Sequence, residues 1–123
     1  MHTDEEINRV TELVIGCAFR VGNALGYGFL EKVYENAMAH ELRKAGLEVA
    51  AQFRVPVWYD GVQVGDYCAD LLVNGFLLIE IKSGRAIDEA HKAQCLNYLK
   101  ATGLTVCLLI NFGPKVEVKR FRR

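Results

Sequence analysis

The sequence predicts an α/β protein in which helices pack on one mixed β-sheet. Three observations lead there. Apolar residues recur at helical spacing over residues 4–25 and again from about 29 to 45, and the pattern then turns extended from residue 48. Two turn dipeptides, Asp60-Gly61 and Asn74-Gly75, separate three extended runs, as in antiparallel strands joined by hairpins. Residues 76–111 read strand, helix, strand, a unit that closes as a right-handed crossover with parallel strands. The order is helix, helix, three strands, helix, strand, strand. A chain of 123 residues has room for one domain, expected over 1–123, with a modest core.

Each element has a local cause. Over 4–25, Ile7, Val10, Val14, Cys17, Ala18, Val21 and Leu25 follow one helical stripe, with Thr3 or Asp4 as N-cap. Gly26, Tyr27 and Gly28 break this helix. The second helix is expected to bury Leu30, Val33, Ala37, Leu42 and Tyr34, and Gly46 is a natural left-handed residue just past its end. In EVAAQFRVPVWY the proline marks an edge position or a bulge. VQVGDYCADLLV and FLLIEIK follow as strands two and three. A third helix runs from about Asp88 to Thr102 and stops at Gly103. TVCLLINF is apolar without alternation, as in a strand covered on both faces, and 116–121 form a last short strand.

Composition sets outer bounds. Apolar residues make up 51% of the chain, which speaks for a folded core. No apolar run approaches the roughly 20 residues of a membrane span, and the acidic start MHTDEEINRV lacks the pattern of a secretion signal. Cys17, Cys68, Cys95 and Cys107 form no CxxC pair and each lies in an apolar stretch. They read as reduced, buried thiols of an intracellular, cytoplasmic protein. The formal net charge is zero, but its distribution is uneven. Lys115, Lys119, Arg120 and Arg122 crowd the C-terminal stretch, which is either a basic edge for phosphates or a solvated terminal strand.

The chemistry lies in the polar residues that interrupt apolar strands. Glu80 and Lys82 sit two apart in LLIEIK and so share a strand face, while Ile79 and Ile81 take the other. Asp70 interrupts CADLLV on the neighbouring strand. Two carboxylates on adjacent strands suit a hard divalent cation that keeps several waters, and a nearby ammonium suits an attacking water or a phosphoryl oxygen. The plain alternative is a surface ion pair between Asp70 and Lys82 with Glu80 on a solvated edge. The hairpin register decides. A two-residue Asn74-Gly75 turn sets Asp70 against Ile79 and sends it to the face opposite Glu80. A three-residue loop of Val73, Asn74 and Gly75, with Gly75 left-handed, sets Leu72 against Phe76 and Asp70 against Leu78. Asp70, Glu80 and Lys82 then share a face, and this is the expected arrangement. Glu31, in the first turn of the second helix, either adds a ligand or complements the helix dipole. His91, Gln94 and Tyr98 form one stripe of the third helix, equally compatible with an ordinary half-buried polar stripe.

Asp70 followed by Glu80-Ile81-Lys82 resembles the D…(D/E)xK signature of the PD-(D/E)xK nuclease superfamily. Gln94 to Tyr98 resembles the QxxxY motif of its RecB-like branch, and Gly28-Phe-Leu-Glu31-Lys-Val-Tyr34 resembles the motif of GxxExxY proteins. Ala69 stands where a proline often precedes the motif aspartate. The resemblance implies a restriction-endonuclease-like αβββαβ core with an extra N-terminal helix. It implies metal binding by Glu31, Asp70 and Glu80, a catalytic Lys82, and Gln94 and Tyr98 approaching the site or the nucleic-acid backbone from the third helix.

The reading that follows is a nuclease dependent on Mg2+ or Mn2+, hydrolysing phosphodiester bonds in DNA with a metal-activated water. The alternative is a nucleic-acid-binding or scaffold protein with a vestigial nuclease site. A homodimer would help so small a domain grip two strands. No base-reading element is evident, so little sequence specificity is expected.

Overall fold

The computed structural model describes residues 2–123. Helix α1 spans Asp4–Leu25 and α2 Glu31–Lys44. Strands β1, β2 and β3 span Val49–Tyr59, Val62–Val73 and Leu77–Lys82. Helix α3 spans Glu89–Thr102, and β4 and β5 span Val106–Phe112 and Val116–Arg122. The strands lie in chain order in one five-stranded sheet. Only β3 and β4 run parallel, so the sheet is mixed as expected.

The helix ends follow local chemistry. Thr3 caps α1 by accepting a hydrogen bond from the Glu6 amide at 3.1 Å, and Asp4, Glu5 and Glu6 complement the dipole. Gly22 lets α1 lie close on β5, because a Cβ there would come within 2.3 Å of Val116 Cγ2. Helix α2 ends in a Schellman motif: Leu47 N–H donates to Leu42 O at 3.1 Å and Gly46 N–H to Arg43 O at 3.0 Å. Its buried face matches the expected one in part. Tyr34 and Leu42 are buried, Ala37 is partly buried against the core, and Met38 joins Tyr34 and Leu42 in an i, i+4, i+8 stripe. Leu30, 80% exposed, precedes the helix as its N-cap, and Val33 is exposed. Cys68 is also exposed, unlike the other three cysteines, because it lies on the outer part of β2.

Two apolar clusters cover the two faces of the sheet. Ile79, Ile81, Leu108 and Ile110 pack with α1 and α2, while Leu78, Cys107 and Leu109 pack with Cys95 and Leu99 of α3. Strand β4, buried along all seven residues, is covered on both sides.

Strands β1 and β2 exchange faces half-way along. Leu71 and Val49 pack on the α1/α2 side, yet Ala69, two residues from Leu71, and Phe53, four from Val49, pack on the α3 side. Residues two apart on a regular strand share a face. The exchange falls between them, at Gln52 and Asp70, where the β1–β2 ladder skips a pair and Gln52 has a φ of 54°. A side chain other than Gly, Asn or Asp in that region costs about 1–2 kcal/mol. The Gln52 amide offsets this by donating to Glu35 Oε1 at 2.9 Å. Pro56 sits on the edge strand, next to a register shift at Val57/Trp58, as its presence foretold.

The loop before α2 is fastened by Tyr34. Its hydroxyl donates to Gly26 O at 2.5 Å and accepts from the Phe29 amide at 3.3 Å, and its ring stacks on Phe112 with centroids 4.7 Å apart. Tyr34→Phe keeps the stack and removes both hydrogen bonds. It should lower unfolding free energy by about 1–2 kcal/mol, read from urea denaturation. A change below a few tenths would show that the hydroxyl does not hold this loop.

Candidate active site

The β2–β3 ladder contains Leu71↔Ile79, Leu72↔Leu78 and Val73↔Leu77 and then stops. The register corrects the expected loop: Asn74, Gly75 and Phe76 connect the strands, so Val73, placed in the loop, is the last paired residue. Asn74 (φ 51°) and Gly75 (φ 74°) take the two left-handed positions, and Phe76 N–H bonds back to Val73 O. The slip of two residues preserves the face. Asp70 opposes Glu80 rather than Leu78, and the two carboxylates still meet.

Beyond Leu71, β2 leaves β3 and continues with β1 alone, while β3 stays paired with β4 to Lys82↔Asn111. The carboxylates fill the fork. Asp70 N–H donates to Glu80 Oε2, and Ile81 N–H donates to Asp70 Oδ2, both at 2.7 Å. Side chains thus take the backbone donors that a continued ladder would have satisfied. Glu80 is 2% exposed and Asp70 half-buried. Burial pushes the Asp70 carboxyl up to about 6, against the Ile81 hydrogen bond, with the negative charge of Glu35 adding to the rise. Burial, then the charge of Asp70, pushes Glu80 up to about 8. Lys82 lies on the same strand face as Glu80 and lowers both values, yet it forms no ion pair among the described residues. The surface ion pair with Asp70 is therefore not formed.

Each carboxylate keeps an oxygen, Asp70 Oδ1 and Glu80 Oε1, that accepts no hydrogen bond among the described residues. Neither is sealed in: the single fully buried, unpartnered side-chain nitrogen or oxygen among them is Thr11 Oγ1. Two hard oxygens open to the fork, on carboxyls that form no ion pair among the described residues, fit a divalent cation. No group of three His, Cys, Asp or Glu side chains surrounds one point among the described residues, so protein would supply two ligands and water or phosphate the rest. Glu31 stands exposed at the first position of α2. It acts on Asp70 and Glu80 as a nearby charge without joining them.

Helix α3 closes one side. Gln94 Nε2 donates to Tyr98 Oη at 3.1 Å, and Tyr98 Oη donates to Cys68 O at 3.4 Å, which ties α3 to β2 just outside the fork. Burial, then the charge of Glu80, pushes the Tyr98 phenol up to about 12. His91 completes a capping box with Asp88 and so serves the helix end. The basic residues of β5 lie on the far edge strand. There Arg122 pairs with Asp4 at 2.7 Å and Arg120 donates to Asn8 at 2.9 Å, while Lys119 and, in the turn before the strand, Lys115 make no ion pair among the described residues.

Three supporting residues escaped the reading of the sequence. Glu35, buried one helical turn after Glu31, is held by Lys32 at 2.8 Å and by Gln52. Its i, i+4 relation to Glu31 was the available signal. Asn111, fully buried, donates to Gly84 O and accepts from Gly84 N, both at 3.0 Å, and thereby fixes the loop after Lys82. An amide inside the apolar run LLINF was the clue. Gln52 had no local signal.

Comparison with known proteins agrees with this geometry. The family model described as PD-(D/E)XK nuclease superfamily matches residues 8–121. The chain belongs to the PD-(D/E)XK nuclease superfamily. Among solved structures, the chain is similar to an alkaline exonuclease (LHK-Exo) from Laribacter hongkongensis, with a TM-score of 0.57 and 14% identity over 100% of this chain and 72% of that one. It is also similar to the protein SSO0001, with a TM-score of 0.56 and 17% identity over 76% of this chain. The match spans 50% of the length of SSO0001. No curated protein matches significantly by sequence. The likeness to solved structures is one of fold, the restriction-endonuclease-like α/β fold. Superfamily members generally use divalent metals, in keeping with the open oxygens of the fork.

The carboxyls of this nuclease-superfamily fold make stability depend on pH when no metal is present. Their folded pKa values lie above the ordinary range, so the folded state holds more protons than the unfolded one. That stability is fully present below the ordinary carboxylate pKa and is lost as pH rises through about 6 and about 8. In EDTA the melting temperature should therefore fall between pH 5 and pH 9, and Glu80→Gln should flatten the fall. A flat or rising wild-type profile, unchanged by the substitution, would contradict the electrostatics described here.

Proposed function

We propose that the protein is a divalent-metal-dependent nuclease that hydrolyses phosphodiester bonds in DNA. The observation that carries this reading is the fork itself: Glu80 holds the Asp70 amide and Asp70 holds the Ile81 amide, each carboxylate keeps an oxygen with no hydrogen bond among the described residues, and Lys82, without an ion pair among them, lies on the same face. Asp70 and Glu80 would hold Mg2+ or Mn2+, and Glu31 on α2 would add a third carboxylate. When bound, the ion lowers the pKa of a coordinated water and offsets charge on the phosphate. Lys82, on the same strand face as Glu80, would orient the attacking water or neutralise a phosphoryl oxygen. Gln94 and Tyr98 set the wall along which the nucleic-acid backbone approaches. Lys115, just before β5, and Lys119, Arg120 and Arg122 on it would be the more distant phosphate contacts. The motif around Glu31 and Tyr34 supports placing the chain among GxxExxY proteins, and the Gln94–Tyr98 pair supports the RecB-like branch. Three buried thiols accord with a reducing, cytoplasmic setting.

Calorimetric titration with Mg2+ and Mn2+ tests the metal site. Wild type should bind saturably, and Asp70→Asn with Glu80→Gln should abolish binding. Lys82→Ala should retain the metal and lose cleavage of labelled DNA by about 100- to 1,000-fold. Metal binding indifferent to the double substitution, or cleavage indifferent to Lys82→Ala, would reject the assignment.

A further inference from the structure

Beyond the fork, the β1–β2 hairpin forms an arm that stands over α3 and leaves a groove of about 1080 Å³ between them. The arm wall carries Trp58, Tyr59 and Tyr67, exposed by 61%, 74% and 54%. The register shift at Val57/Trp58 helps turn consecutive residues into the groove. The α3 wall is different in kind. It presents Gln94, Asn97 and Lys100 among small alanines. Among the described residues, Lys100 is the one charged side chain lining the groove, and no carboxylate lines it. At its inner end, Gln94 and Tyr98 belong both to the groove and to the wall beside Asp70 and Glu80.

We propose that this groove binds single-stranded nucleic acid, with bases stacked on Trp58, Tyr59 and Tyr67 and the sugar–phosphate chain running along α3 into the fork. The proposal rests on the nuclease reading of the Asp70–Glu80 site and names its substrate class. Exposed rings opposite a wall of amides and one ammonium match a strand that has flat apolar bases on one side and anionic phosphates on the other. A duplex cannot use the rings, because its base faces are already stacked within the helix. A second copy of the chain burying the aromatic arm would not call for Gln94, Asn97 and Lys100 along the facing wall. Continuity with the carboxylates means that a strand held here delivers its backbone to the candidate site.

Trp58 is the only tryptophan, so its emission reports on the groove without a label. The full chain is titrated in EDTA, where no metal-dependent cleavage occurs. The probes are an oligothymidylate of about 12 nucleotides, an oligouridylate of equal length and a blunt duplex of equal length. Both single strands should quench Trp58 saturably, and the ratio of their affinities reads the sugar preference. The duplex should leave the emission unchanged. Tyr59→Ala with Tyr67→Ala should weaken single-strand binding by about tenfold or more, and Tyr59→Ala alone, at the most exposed ring, guards against a folding defect in the pair. Duplex binding of equal strength, or ring variants that bind like wild type, would overturn the proposal. So would emission that depends on protein concentration without nucleic acid, together with a sedimenting dimer. Binding intact in EDTA with no cleavage in Mg2+ or Mn2+ would instead overturn the nuclease reading and leave the groove assignment standing.

Discussion

Where β2 parts from β3, two backbone amides lose their strand partners, and the side chains of Asp70 and Glu80 take them. Buried amides without partners cost about 1–3 kcal/mol each, so a fork of this kind needs acceptors. Carboxylates are strong ones, and charge-assisted bonds of 2.7 Å hold both chains firmly. The same choice carries a cost, since two like-charged groups come to lie side by side in a partly dry place. Their raised pKa values are the measure of it. A fold optimised for stability alone would close the ladder or fill the fork with apolar residues. That β3 and β4 remain almost wholly buried on either side gives the sheet enough apolar support to tolerate the strain.

The rest of the structure keeps the fork open in one shape. Glu35, pinned by Lys32 and Gln52, ties α2 to the point where β1 and β2 exchange faces. Asn111 bonds both backbone groups of Gly84, and Gly113 packs so closely there that a Cβ would lie 2.7 Å from Gly84 O. That clamp fixes the chain leaving Lys82. On the third side, Tyr98 reaches the Cys68 carbonyl and sets the distance between α3 and the departing strand. Three unrelated elements therefore restrain the two carboxylates and the lysine, which are the groups with least freedom to be misplaced if they bind a metal.

The parts legible in the sequence were those that depend on period and parity. Asp70, Glu80 and Lys82 share a face because strand side chains alternate, and an error of two residues in the Asn74-Gly75 loop leaves that parity untouched. The register itself was not legible, since Asn-Gly permits loops of different length and the deciding bond is the one from Phe76 to Val73. On α2, Leu30 and Val33 depart from the helical pattern for a tertiary reason. Tyr34 is drawn inward by Phe112 and Gly26, which rotates Leu30 and Val33 out. Gln52 was beyond reach for a deeper reason. Its left-handed backbone is imposed by the face exchange, and nothing in AAQFRV announces one.

That exchange links the fork to the groove. Without it, Phe53, Val55 and Ala69 would follow Leu71 to the α1/α2 face, and the outer hairpin would turn its aromatic side away from α3. With it, the outer half of β1 and β2 presents Val57, Trp58 and Tyr67 to α3, and α3 is the helix whose Gln94 and Tyr98 reach the fork. The irregularity next to Asp70 is thus the one that builds a surface leading to the carboxylates. Parity along β2 and β3 sets Asp70 beside Glu80, and the exchange at Gln52 turns the outer hairpin toward the helix that reaches them.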